Sequence, residues 1–162
     1  MPVVERVTHI AAPLDRVFVC ALRPDLPPVL ACGGRLIDVK PGAHASDPSP
    51  VGDRVRAGDV KTFETRVLWV RRRAVMRVTE IEPNRWIREH CTAGPLRVFQ
   101  HERFFEPVAG GTRVLDVVAF RAPFGPIGRL FERTPLFGRV ERWLGHQIEA
   151  LRTAAEAYPR GG

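Results

Sequence analysis

Residues 96–121 read Leu96-Arg97-Val98-Phe99-Gln100-His101-Glu102-Arg103-Phe104-Phe105-Glu106-Pro107-Val108-Ala109-Gly110-Gly111-Thr112-Arg113-Val114-Leu115-Asp116-Val117-Val118-Ala119-Phe120-Arg121. Two stretches, 96–106 and 112–121, keep a period of two and are joined by a loop holding Gly110-Gly111, so they read as an antiparallel hairpin. With Phe105 opposite Thr112, Arg103 faces Val114 and His101 faces Asp116. Alternation then puts Phe99, His101, Arg103 and Phe105 on one face with Val114, Asp116, Val118 and Phe120. Phe105, Val118 and Phe120 mark that face as inward, whereas Glu102, Glu106, Arg113 and Arg121 on the other suit water.

The same period runs outward from this hairpin. Strands are predicted at 35–39, 52–58, 62–71, 74–82 and 86–92, separated by 41–50, Gly58-Asp59, a turn at Arg71–Arg73, Pro83-Asn84 and Gly94-Pro95. Separators this short make antiparallel neighbours, because parallel ones need crossovers of about a dozen residues. A further strand alternates over 3–10. Pro13 then opens a helix whose stripe is Leu14, Val17, Phe18 and Ala21. Pro24, Pro27 and Pro28 confine any second helical piece to 25–32, before Gly33-Gly34.

After Pro123-Phe124-Gly125-Pro126 the period returns to that of a helix. Thr134-Pro135 divides it into a short helix near 126–133 and a longer one at 135–157. Leu136, Val140, Leu144, Ile148, Leu151 and Ala155 form the stripe of the longer helix, with Arg139, Glu141, Arg142, Glu149 and Arg152 off it. One long helix and one sheet can bury their apolar faces only against each other. The prediction is a single α+β domain, 1–162 with its core in 3–157. A curved antiparallel sheet of about six to seven strands wraps the C-terminal helix, and two short helices follow the first strand. Such a sheet often leaves a pocket against its helix, which makes a ligand site the default expectation.

Composition narrows the class. The chain has 162 residues, 44% hydrophobic and 27% charged, which fits one packed domain. No run is long and apolar enough for a membrane helix, and the charged start, MPVVERVTHI, does not resemble an export signal. Cys20, Cys32 and Cys91 show no metal or disulfide spacing and are read as free thiols in a reducing cytoplasm. The net charge is +7, nearly all of it arginine, since Lys40 and Lys61 are the only lysines. That balance suits polyanions. The arginines are dispersed, however, and no aromatic motif of an RNA-binding sheet accompanies them, so nucleic acid is disfavoured and contact with an anionic membrane stays open.

The order of elements, with a series of short strings, resembles the helix-grip (SRPBCC) superfamily. The strings are Ile10-Ala11-Ala12-Pro13 with Val17-Phe18, Val51-Gly52-Asp53-Arg54-Val55-Arg56, Val78-Thr79-Glu80-Ile81-Glu82-Pro83, Gly94-Pro95-Leu96, Phe104-Phe105-Glu106-Pro107, Gly110-Gly111-Thr112 and Pro123-Phe124-Gly125. The superfamily includes START lipid-transfer domains, birch-pollen-allergen relatives and bacterial polyketide cyclase/dehydrase-like proteins. The resemblance implies a cavity between sheet and helix, and a small hydrophobic ligand such as a lipid, an isoprenoid quinone or an aromatic polyketide. Many bacterial relatives carry tryptophan where this chain has Phe99, which changes the expected cavity wall.

Chemistry on the inward face centres on His101 and Asp116. A carboxylate against one ring nitrogen would orient the imidazole, leaving the other nitrogen to polarise a carbonyl or move a proton. Arg103, diagonal to Asp116, offers the competing arrangement, an ion pair that satisfies the carboxylate outright. The expected ligand-lining residues are Phe99, His101, Arg103, Asp116, Val118, Phe120, Trp143 and Leu144. Glu64, Arg77 and Glu80 are weaker pocket candidates and suit the exterior better. His9, His44, His90 and His146 have no metal-ligand spacing, and neither a metal nor a cofactor is called for. Three functional readings follow. The first is binding of a small hydrophobic molecule. The second is a cofactor-independent cyclase or dehydratase with His101 as acid/base and Asp116 as its orienter. The third is a basic surface for nucleic acid or anionic membrane.

Overall fold

Strand alternation and one amphipathic helix fix the architecture. The structure, a computed structural model, describes residues 1–26, 35–42, 52–67, 70–123, 125–131 and 136–157. In chain order the elements are β1 (Val3–Ile10), α1 (Leu14–Ala21), β2 (Arg35–Lys40), β3 (Val60–Val67), β4 (Val70–Glu82), β5 (Trp86–Ala93), β6 (Val98–Val108), β7 (Gly111–Arg121), α2 (Gly125–Phe131) and α3 (Phe137–Ala157). The strands form one seven-stranded sheet in the order β1-β7-β6-β5-β4-β3-β2. All six pairings are antiparallel. Only β1 is out of sequence order: it joins the far edge beside β7, and α1 starts the return across the sheet. This is the α+β helix-grip fold.

α3 lies across the curved sheet because its stripe is apolar, and α1 covers part of the same face beside it. Val140, Leu144, Ile148, Leu151 and Ala155 are all buried, while Arg139, Glu141, Arg142 and Glu149 are exposed. Its first half packs Val140 and Leu144 against Val4, Phe63, Met76, Phe99, Val118 and Phe120. Its second half packs Ile148, Leu151 and Ala155 against Ile10, Val17, Phe18, Phe105 and Val114. Phe18 of α1 meets Phe105 edge-on at 5.2 Å between ring centroids, a favourable aromatic geometry. Bulges at Ile37 in β2, Thr79 in β4 and Thr92 in β5 supply local bends that help the sheet curl.

Three expectations need correction. Residues 52–58 are not a strand. They form turns in which the Val55 N–H donates to Leu22 O (2.8 Å) and the Gly58 N–H to Val78 O (2.7 Å). Gly58 has φ 93°, and the Asp59 carboxylate accepts the Arg56 N–H at 2.7 Å, so local side-chain and glycine chemistry replaces strand pairing. Arg71–Arg73 are not a turn either. They sit inside β4, opposite Glu64–Arg66 of β3, and the hairpin closes between Val67 and Val70. The hairpin of β6 and β7 is longer than expected, closing at Val108↔Gly111, which shifts its register by two residues. The second helical piece expected at 25–32 falls largely outside the described residues, as do Cys32, His44 and Trp69, and Asp25 lies in a turn.

Candidate functional site

The two-residue register shift moves the partners but preserves the faces, because side chains alternate with a period of two. Arg103 stands directly opposite Asp116, and His101 opposite Val118. Phe99, His101, Arg103, Phe105, Val114, Asp116, Val118 and Phe120 are all buried on the helix-facing side. The sequence alternatives for Asp116, a histidine partner or an arginine partner, are both realised. His101 Nε2 lies 2.7 Å from Asp116 Oδ1, and Arg103 Nε donates to the same oxygen at 2.6 Å. Arg103 Nη2 donates in turn to Gln147 Oε1 of α3 at 2.9 Å.

Beside this network is a second buried pair. Glu89 of β5 is the cross-strand neighbour of His101, and its Oε1 pairs with Lys61 Nζ of β3. The lysine and glutamate side chains are only 8% and 11% exposed. Together these six residues make a charged belt across the interior, between the two apolar clusters. Burial alone would push both carboxyls up. Arg103, with His101, instead holds Asp116 below the ordinary carboxylate range, and Lys61, with His101 and Arg103, does the same for Glu89. Both carboxylates are therefore ionised near neutral pH. Asp116 Oδ2 is buried with no hydrogen bond among the described residues.

The belt, Asp116 excepted, forms the wall of a pocket between sheet and helices. Arg23, Lys61, Glu89, His101, Arg103 and Gln147 line it together with the apolar Ala21, Leu26 and Ile87. Its closed room is about 20 Å³, enough for about one water, and beyond that the hollow opens to solvent. Of the residues expected to meet a ligand, His101 and Arg103 line this pocket. Asp116 lies behind them. Phe99, Val118, Phe120 and Leu144 instead pack on one another in the apolar cluster beside α3, with Trp143 half-buried against it.

Lys61, Glu89 and Gln147 escaped the sequence reading, although each carries a signal. Gln147 is three residues after Leu144 and four before Leu151, a polar side chain on the apolar stripe. Glu89 alternates with Ile87 and Cys91, and Lys61 with Phe63 and Thr65, so both share an inward phase. The exterior candidates sit as expected: Glu64 pairs with Arg71, Glu80 with Arg88, and Arg77 is exposed. Among the described residues no cluster of histidine, cysteine, aspartate or glutamate could hold a metal ion.

No protein-family model matches the chain, and no curated protein matches it in sequence. Solved structures do match in shape. A protein from Thermus thermophilus shares 18% identity over 96% of this chain and 98% of its own, with TM-score 0.70. A START superfamily protein from Mycobacterium smegmatis shares 12% over 97% and 99%, with TM-score 0.69. The Zhui aromatase/cyclase from a Streptomyces species shares 17% over 96% and 93%, with TM-score 0.68. At these identities the likeness is one of fold, and the fold this chain shares with all three, end to end, is the helix grip.

Proposed function

We propose that the protein binds a small, largely apolar molecule between the sheet and α3, with an oxygen-bearing end of the ligand set against the charged belt. The observation that carries this reading is the belt itself. Desolvating an ion costs several kcal/mol, and apolar side chains of similar size would stabilise a core at least as well. Five of the belt's side chains gathered at one pocket wall, with Asp116 behind them, therefore suit recognition better than stability. Lys61, Arg103 and Gln147 supply donors for a carbonyl, hydroxyl or carboxylate, while Ala21, Leu26 and Ile87 offer apolar surface to the rest of the ligand. Two of the shape relatives are described as a START superfamily protein and an aromatase/cyclase, which fits this reading without selecting a ligand.

The His101–Asp116 contact favours a second reading, a cofactor-independent cyclase or dehydratase. Asp116 as an ionised acceptor places the proton of the ring on Nε2, leaving Nδ1 to take a proton from a carbon next to a ligand carbonyl and return it to a departing oxygen. Arg103 would neutralise charge growing on the carbonyl oxygen.

Native mass spectrometry of the purified protein, followed by thermal-shift titration with fatty acids, isoprenoid quinones and aromatic polyketides, tests the first reading. A bound organic mass, or a concentration-dependent rise in Tm, is expected. Neither adduct nor shift across the three classes would refute it. With a ligand in hand, His101→Ala separates the readings. A catalyst loses turnover by ~10²–10⁴-fold while still binding, whereas a binder loses only affinity.

A further inference from the structure

We infer that one end of this molecule is an anionic-membrane docking surface, formed by exposed apolar side chains of α2 among arginines that the sheet topology collects beside it. The antiparallel order brings the start of β1, the end of β7, the start of β6, the end of β5 and the β3–β4 hairpin to the same end of the sheet. α2 follows β7 there through the short link Ala122–Pro123 and stays close to it: a Cβ at Gly128 would lie 2.0 Å from Pro123 O and 3.3 Å from Ala122 Cβ. The N-terminal half of α3 is at this end too, since Phe137 meets Phe120 at 6.4 Å between ring centroids.

Two properties coincide at this end. Arg71, Arg72, Arg73, Arg97 and Arg121 are exposed on the strand ends, and Arg139 on α3. The described carboxylates alongside them are Glu64, paired with Arg71 at 3.6 Å, and Glu141. The opposite end of the sheet is mixed in sign, with Asp38, Glu82 and Glu106 among Lys40, Arg85 and Arg113. The cationic end also holds large apolar side chains open to water: Ile127 is 67% exposed and Leu130 73%, with Val3 and Val70 about half exposed. Ile127 and Leu130, three residues apart, project from one side of α2. The arginines contributed by β4 and β7 are three strand spacings apart, ~14 Å, wide enough to meet several lipid headgroups at once.

The pairing of features selects the partner. A nucleic acid satisfies the arginines through phosphate but gives Ile127 and Leu130 no apolar medium. An anionic bilayer satisfies both, phosphate or carboxylate at the headgroups and acyl chain beneath. The chain meets it as a peripheral protein, for no described helix is long and apolar enough to cross a membrane.

Co-sedimentation with phosphatidylcholine vesicles, alone or carrying 30 mol% phosphatidylglycerol (about one lipid in three, enough to set up a negative surface potential), tests the inference. Binding to the anionic vesicles only, weakening as salt is raised, is expected. Ile127→Ser with Leu130→Ser should reduce that binding by ~10-fold or more, since both side chains already face water and the fold does not depend on them. Arg97→Glu with Arg121→Glu should abolish it, and Arg85→Glu with Arg113→Glu at the opposite end should leave it unchanged. An unaltered Tm in each variant shows that the fold is intact. No association with anionic vesicles, equal loss from both arginine pairs, or undiminished binding in the serine variant overturns the inference. Tighter binding to duplex DNA or single-stranded RNA at the same salt would assign the surface to nucleic acid and overturn it as well.

Discussion

Asp116 couples β6, β7 and α3 through one oxygen. That oxygen accepts from Arg103 and lies within hydrogen-bond distance of His101, and Arg103 passes the connection to Gln147. Asp116→Asn keeps the shape but leaves a buried guanidinium without its counter-charge. We expect a loss of ~3–5 kcal/mol at pH 7, read from urea denaturation. The same residue predicts a pH dependence. Asp116 and Glu89 are held below their ordinary values when folded, so the unfolded chain takes up protons first as the pH falls. Their contribution to stability is complete above ~pH 5 and fades as the pH drops through ~4 towards the folded values. The variant should therefore show a shallower decline in unfolding free energy between ~pH 5 and 3 than the native chain. Equal slopes would mean that the fold does not hold Asp116 below its ordinary range.

The hairpin of β6 and β7 is an element whose turn must fit a neighbour as well as its own strands. Gly110 has φ 80° and nothing near its missing Cβ, whereas a Cβ at Gly111 would lie 2.1 Å from Ile10 O. Gly110→Ala should cost only its left-handed strain, ~1–2 kcal/mol. Gly111→Ala must move the end of β1, and we expect the larger loss, ~2–4 kcal/mol by chemical denaturation. A reversed order would refute the close approach. The sequence shows the glycine pair but not which member meets another strand, because that contact depends on β1 joining the far edge. The same limit runs through the fold. The inward faces of β6 and β7 and the stripe of α3 are legible because each is a strict period in one segment. The β3–β4 turn is misread because an arginine triplet looks like a loop, although Ala74, Met76 and Val78 continue the strand's inward phase. Residues 52–58 alternate like a strand, yet Asp59 and Gly58 hold them in turns through contacts with Arg56 and Val78. Within the candidate site, His101, Arg103 and Asp116 share one hairpin and can be found locally. Lys61 and Glu89 come from other strands and meet only once the register is known.

For the whole molecule, the consequence of the belt is a core divided between two apolar clusters with ions between them. A chain selected for stability alone would fill that space with apolar side chains, so the Lys61–Glu89 pair is the place to separate stability from recognition. Glu89→Leu alone strands a buried ammonium and should cost ~3–5 kcal/mol. Lys61→Met with Glu89→Leu removes both charges and keeps the volume, so the double variant should be as stable as the native chain or more so, by up to ~4 kcal/mol. It should at the same time lose the bound organic mass expected in native mass spectrometry, because the pocket wall then lacks a donor and an anion. Urea midpoints of the three proteins, read beside their adduct spectra, decide the matter. A double variant as unstable as the single one would show that the pair holds the fold together. A double variant that is stable and still carries its ligand would leave recognition to Arg103, His101 and Gln147 alone.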